Sequence, residues 1–265
     1  QAIELDAALA PAYAGRARIY AALNQPEQAL ADYTKAIELA PTLTSAYLSR
    51  ANLNSQQGAI DAALADFTKA IELDPTLTAA YLGRANAYQR KGENDAALAD
   101  YTKALELDPK LVPAYLNRGN TYAAKGEHDK ALADHTKAIE LDPDLAVAYF
   151  MRGNVYALKT DYTAAVADFT KAIELDPQLA IAYVNRGNAH NNLGNTDQAL
   201  ADHNQAIAMI PDFTIAYYSR GLVYRNRGET EKALADFQKT LELAGAENLG
   251  ELGDLAKEQI GELGG

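Results

Sequence analysis

Pro41, Pro75, Pro109, Pro143, Pro177 and Pro211 stand 34 residues apart. The Ala-Tyr pairs ending in Tyr13, Tyr47, Tyr81, Tyr115, Tyr149, Tyr183 and Tyr217 keep the same interval. So do Arg16, Arg50, Arg84, Arg118, Arg152, Arg186 and Arg220, and Asp32, Asp66, Asp100, Asp134, Asp168, Asp202 and Asp236. A short period of this kind constrains the fold more than any other feature. Each unit is one supersecondary element, too small to bury its apolar face alone, so the core must form by stacking neighbour on neighbour. The expected units run 10–43, 44–77, 78–111, 112–145, 146–179, 180–213 and 214–247.

Numbering positions from the first residue of a unit, 4, 7, 8 and 11 lie on one face of a first helix at about 100° per residue. Position 15 is Gly58, Gly92, Gly126, Gly194 and Gly228 in five units, a helix-stop signal. A second helix carries Ala at 20, an aromatic or His at 24 and a small residue at 27, again on one face. Asp-Pro at 31–32 ends it in four units, because Pro lacks the amide donor and disfavours helix in the residue before it. Strand patterns are absent, so the fold class is all-α.

Unit 78–111 reads Tyr81, Ala85, Tyr88, Ala97, Tyr101, Ala104 and Pro109. This arrangement resembles the tetratricopeptide repeat, with small residues at 8, 20 and 27, aromatics near 4, 11 and 24, and Pro at 32. The resemblance covers 10–247. It implies an α-solenoid of seven helix-turn-helix repeats wound as a right-handed superhelix, with first helices lining a concave groove. One departure is systematic: the family's usual Leu at position 7 is Arg in every unit.

Gln1 to Asp6 matches the tail of a second helix, as in Ala70 to Asp74. Residues 1–9 are therefore expected to be the remnant of a preceding repeat. Within 248–265, Leu249, Leu252, Ala256, Ile260 and Leu263 recur at helical spacing, which predicts a C-terminal capping helix and tail.

The chain holds 24 Lys and Arg against 36 Asp and Glu, a net charge of -12. Positions 1–14 of all seven units contain no acid but carry 14 of the basic residues. The Arg residues at position 7 need partners, and the Asp residues at 23 flank the same inner face. Pairing of 7 with 23 is expected, a contact that fixes geometry more surely than it adds stability.

The opposite face of the first helix, positions 2, 5, 6, 9, 12 and 13, is the candidate binding surface. Position 9 is Asn52, Asn86, Asn120, Asn154 and Asn188, and position 6 adds Asn117 and Asn185. Asn in a helix interior is unfavourable by about 0.5 kcal/mol relative to Ala. Its amide both donates and accepts, so a ladder of such residues suits a peptide backbone of any sequence. Beside it runs an apolar stripe at position 5: Leu48, Leu82, Leu116, Phe150, Val184 and Tyr218. An exposed stripe of that length marks an interaction site, unless it packs against neighbouring helices. Arg18, Arg90 and Arg225 are the cations expected to face the groove. Some relatives hold a C-terminal carboxylate with Lys at 5 and Arg at 6. Position 5 is never Lys and position 6 never Arg here, so that mode is not expected.

With no Cys, thiolate chemistry is excluded. His135 and His203 replace core aromatics at position 24, and His190 replaces one at 11; all three read as ring-sized fillers. Asp197 and Asp202 are weak third ligands at best, so no metal and no cofactor is expected. No nucleophile-base set stands apart from the period, and the expectation is a non-enzyme. A strongly acidic chain with few groove cations argues against nucleic acid. No apolar run approaches the roughly 20 residues of a membrane span. The expected function is a protein-protein interaction module that holds an extended peptide or partner helix, neutral to acidic with apolar anchors. The alternative is a self-assembling scaffold, a homo-oligomer built through the array ends or groove.

Overall fold

The computed structural model describes the backbone of residues 9–247 and 250–264, and side chains for 9–245 and 250–264. Residues 1–8 of the expected remnant at 1–9, and Leu249 of the expected capping helix, lie outside the described residues. Among the described residues there are 15 helices and no strand. They fall into two compact bodies, divided between Glu127 and His128.

The N-terminal body contains α1 (Ala10–Ala22), α2 (Pro26–Leu39), α3 (Thr44–Gln56), α4 (Ile60–Leu73), α5 (Thr78–Lys91), α6 (Asn94–Leu107) and α7 (Val112–Ala124). Consecutive helices pack as antiparallel neighbours, and the first helices α1, α3, α5 and α7 also touch one another in series. The C-terminal body contains α8 (His128–Leu141), α9 (Ala146–Leu158), α10 (Tyr162–Leu175), α11 (Ala180–Asn192), α12 (Thr196–Met209), α13 (Thr214–Asn226), α14 (Thr230–Glu247) and α15 (Gly250–Glu262). Here α9, α11 and α13 form the contacting series. Helix α15 packs on α14, placing buried Ala256 with Ala233 and Phe237, beside Ile260 and Leu263.

Small residues set the spacing. Ala29, Ala63, Ala97, Ala131, Ala165, Ala199 and Ala233 at position 20 have no exposed surface. At position 8, a Cβ on Gly153 would fall 2.8 Å from the Phe169 ring, and one on Gly221 2.7 Å from Phe237. In these two hairpins the space of the missing methyl is taken by the position-24 ring.

The turn inside each hairpin needs one left-handed residue. Gly58, Gly92, Gly126, Gly194 and Gly228 supply it with φ between 73° and 81°. Asn24 and Thr160 stand at the same position with φ of 56° and 60°. Asn tolerates this region, but a β-branched residue there is strained by roughly 1–2 kcal/mol. Thr160→Gly should therefore raise unfolding free energy by about 1 kcal/mol, net of the greater entropy of an unfolded glycine. Chemical denaturation measures it, and a loss of stability would reject the strain.

Between hairpins, Asp74, Asp108 and Asp176 leave the helix in extended conformation, and each carboxylate accepts the amide two residues on, at 2.9–3.0 Å. The Asp-Pro signal thus stops the helix twice, through the ring and through the side-chain turn.

Candidate functional site

The systematic Arg is explained by its partners. Arg50 Nε and Nη2 donate to Asp66 at 2.8 and 2.7 Å, and Arg152 to Asp168 at 2.7 and 2.8 Å. Arg16–Asp32, Arg84–Asp100, Arg186–Asp202 and Arg220–Asp236 repeat the bidentate fork. The remaining nitrogen reaches back one repeat. Arg50 donates to Thr34, Arg84 to Thr68, Arg118 to Thr102, Arg152 to Thr136 and Arg186 to Thr170, at 2.9–3.2 Å. A Tyr at position 4 flanks the cation, joined in most repeats by one at position 11, as Tyr149 and Tyr156 flank Arg152 at 5.7 and 6.0 Å. A planar, five-donor cation can do all this at once and a Leu cannot. Position 7 therefore joins repeats instead of serving a ligand.

Most other cations of the acid-free half are also used internally. Lys91 meets Asp61 at 2.9 Å, and Arg227 meets Asp197 at 2.5 Å; Lys125 pairs with Asp95 and Lys159 with Asp129. These position-14 to position-18 pairs join adjacent repeats but are exposed, so each contributes little. Arg90 donates to the Ser55 carbonyl, and Arg225 to Gln259 and, at 3.4 Å, to Glu262. Neither is the free groove cation expected from sequence: Arg90 reaches back to α3, and Arg225 reaches α15. Arg18 is exposed.

The apolar stripe is also corrected. Val184 is fully buried and Leu116 is 9 % exposed. Leu48, Leu82, Phe150 and Tyr218 are half-buried and pack into core clusters. Position 5 lies against position 24 of its own hairpin, with Phe150 and Phe169 centroids 5.9 Å apart and Tyr218 and Phe237 5.7 Å apart.

The asparagines divide into classes. Asn52 is exposed, while Asn86, Asn120, Asn154 and Asn188 are half-buried. Position 6 donates to position 9 of the preceding repeat: Asn117 Nδ2 to Asn86 Oδ1 at 2.9 Å, and Asn185 Nδ2 to Asn154 Oδ1 at 2.8 Å. In the N-terminal body the Tyr101 hydroxyl also donates to Asn86 Oδ1, at 2.6 Å. Burial pushes that phenol's pKa up. In the C-terminal body Asn154, Asn185, Asn188 and Asn192 surround a cleft of about 410 Å³. Its floor and walls are Phe169, Tyr162, Leu158, Ala157 and Ala189. No charged side chain lines it, and Leu158 is 60 % exposed. Asn192 donates to the Asn188 carbonyl, and the Asn188 side-chain amide makes no hydrogen bond within the described residues. Sequence reasoning found Asn154, Asn185 and Asn188 but missed Asn192, at position 13; its place on the same helical face was the available signal.

His135 and His203 are fully buried with both ring nitrogens unpartnered, and desolvation lowers each pKa to about 4. They act as neutral rings. Among the described residues no group of three His, Cys, Asp or Glu side chains is placed to hold a metal. No described helix is long and apolar enough to cross a membrane.

Within each body, stacked helical hairpins with Arg forks and serially contacting, acid-free first helices define a helical-repeat interaction protein. The sequence profile of the Tetratricopeptide repeat matches 10–43, 112–145, 180–213 and 214–245, and that of the TPR repeat matches 55–92, 90–126 and 158–194. The chain belongs to the tetratricopeptide repeat family, whose members mediate protein-protein interaction; neither profile is that of an enzyme. No curated protein matches the chain. Among solved structures it is similar to a tetratricopeptide repeat protein from Parabacteroides merdae ATCC 43184, with a TM-score of 0.74, 21 % identity and coverage of 94 % of this chain and 98 % of that one. It is also similar to YrrB, described as a TPR protein with an unusual peptide-binding site, at 29 % identity and TM-score 0.58, covering 72 % and 97 %. MamA is 30 % identical, with a TM-score of 0.57 and coverage of 62 % and 96 %.

Proposed function

We propose that the chain, read as seven repeats over 10–247, binds an extended peptide or partner helix along the acid-free faces of its first helices. The carrying observation is the cleft in the C-terminal body. It gathers four amides over an apolar floor, is uncharged, and leaves the Asn188 amide without an internal partner. Amides of this kind recognise main-chain N–H and C=O groups. A volume of about 410 Å³ lies within the range of ligand sites. With Arg90 and Arg225 committed internally, the preferred partner is a neutral segment with apolar anchors. YrrB, a relative described as having a peptide-binding site, is consistent with that reading.

The test uses peptides selected from a display library on the full chain. Asn188→Ala should weaken the selected peptide at least tenfold. The same change should leave thermal stability unchanged or slightly raised, because no hydrogen bond is lost and Ala is the better helix former. Undiminished affinity in Asn188→Ala rejects the proposal.

A further inference from the structure

The asparagine pair occurs twice, once in each body, and its surroundings differ at two positions. In the N-terminal body the ring beneath it is Tyr101, and the neighbouring position 12 is Gln89, whose Oε1 is 3.1 Å from the Tyr101 hydroxyl. In the C-terminal body the ring is Phe169 and position 12 is Ala157. Asn86 Oδ1 accepts two hydrogen bonds, from Asn117 and from Tyr101. Asn154 Oδ1 accepts one, from Asn185. A half-buried carbonyl oxygen has two lone pairs, and Asn154 keeps one without a protein donor. The space that the Tyr101 hydroxyl and Gln89 fill in one body is open in the other, and it opens into the asparagine cleft.

We propose that this cleft takes the tyrosine side chain of a bound peptide, its phenol hydroxyl donating to Asn154 Oδ1 as Tyr101 donates to Asn86. The lining matches such a group in kind. A phenol is an apolar plate with one polar tip, and the cleft sets Phe169, Ala157, Leu158 and Ala189 against the amides. No cation lines it, so it offers nothing to a phosphate or carboxylate, and the unmodified phenol is the preferred form. A serine hydroxyl would reach the oxygen but leave the apolar walls uncovered. The proposal rests on the reading that peptides lie along these first helices, and it adds which side chain one of them presents.

The test is a ¹H–¹⁵N NMR titration of the whole chain with N-acetyl-tyrosinamide, N-acetyl-phenylalaninamide and N-acetyl-phosphotyrosinamide. The tyrosine probe should shift the side-chain amide signals of Asn154 and Asn185 saturably. The phenylalanine and phosphotyrosine probes should bind at least fivefold more weakly. Phe169→Tyr should abolish the response, since its own hydroxyl then occupies the lone pair. That substitution is already tolerated at its position in this chain, at Tyr33 and Tyr101. Ala157→Gln, a change at a half-buried wall position that restores the Gln of the other body, should do the same. Equal binding of the phenylalanine probe, preference for the phosphorylated one, or an intact response in both variants overturns the proposal. The library-selected peptide separates this from the broader reading. If Asn188→Ala weakens that peptide while Phe169→Tyr does not, groove binding stands and the tyrosine assignment falls. If no peptide is selected, groove binding falls, and the amino-acid titration still decides the cleft.

Discussion

Asp168→Ala should destabilise the C-terminal body by about 3 kcal/mol, near the lower end for a buried pair deprived of one partner. Arg152 would be left with its side chain 18 % exposed, its fork unmatched and only Thr136 as a hydrogen-bonding partner at 3.2 Å. The cost is chiefly that of an uncompensated cation held between Tyr149 and Tyr156, so removing the cation as well should recover most of it. Arg152→Leu with Asp168→Ala restores the residue usual for the family at position 7 and should lie within about 1 kcal/mol of the parent, since apolar replacement of a buried pair is often neutral. Because stability in stacked repeats is carried between nearest neighbours, the single variant should also broaden the denaturation profile or split it in two. Urea titration of the parent, both single variants and the double variant gives the coupling directly. A single Asp168→Ala variant as stable as the parent would show that the fork contributes nothing beyond orientation.

Mild acid should destabilise this protein through its two buried histidines. Unfolded histidine binds a proton near pH 6.5, whereas buried His135 and His203 resist it until about pH 4 because nothing in the core replaces the water they lost. Between those values the unfolded state holds more protons. Stability is therefore full above pH 6.5 and falls with decreasing pH, by about 1.4 kcal/mol per pH unit for each histidine. From pH 7 to pH 5 the pair should cost about 4 kcal/mol, and His190, lowered in the same direction by its burial, adds to the loss. His203→Phe should remove close to half of it. Phenylalanine fits there, because Phe169 and Phe237 occupy the same position against Gly153 and Gly221, as His203 does against Gly187. Denaturant midpoints across that pH range measure the slope. A parent chain equally stable at pH 7 and pH 5 would mean that the two imidazoles reach water.

Much of the fold was legible because the period repeats each decision several times. The Tyr, Ala and Pro positions pointed to an all-α fold of helix-turn-helix repeats, and the recurring Arg and Asp, 16 residues apart, announced a pair that the structure contains. The candidate site was less legible. The helical wheel placed position 5 on the outward face but could not say how deep it lies, and the ring at position 24 of its own hairpin covers it. It made Arg90 and Arg225 look free, yet both reach across to Ser55 and to Gln259 and Glu262. The asparagines were visible as a ladder, but not that Asn86 is saturated by Tyr101 while Asn154 is not.

From its sequence alone, then, the chain's helical hairpins, their small-residue seams and the segregation of acids from first helices could be stated, because these depend on local spacing and on contacts between units of known period. Which amide or cation remains available to a partner was decided only in three dimensions. A polar atom's vacancy depends on every donor that neighbouring repeats bring within hydrogen-bonding distance, and those donors lie about 15 to 35 positions away on helices whose rotation no single-helix pattern specifies.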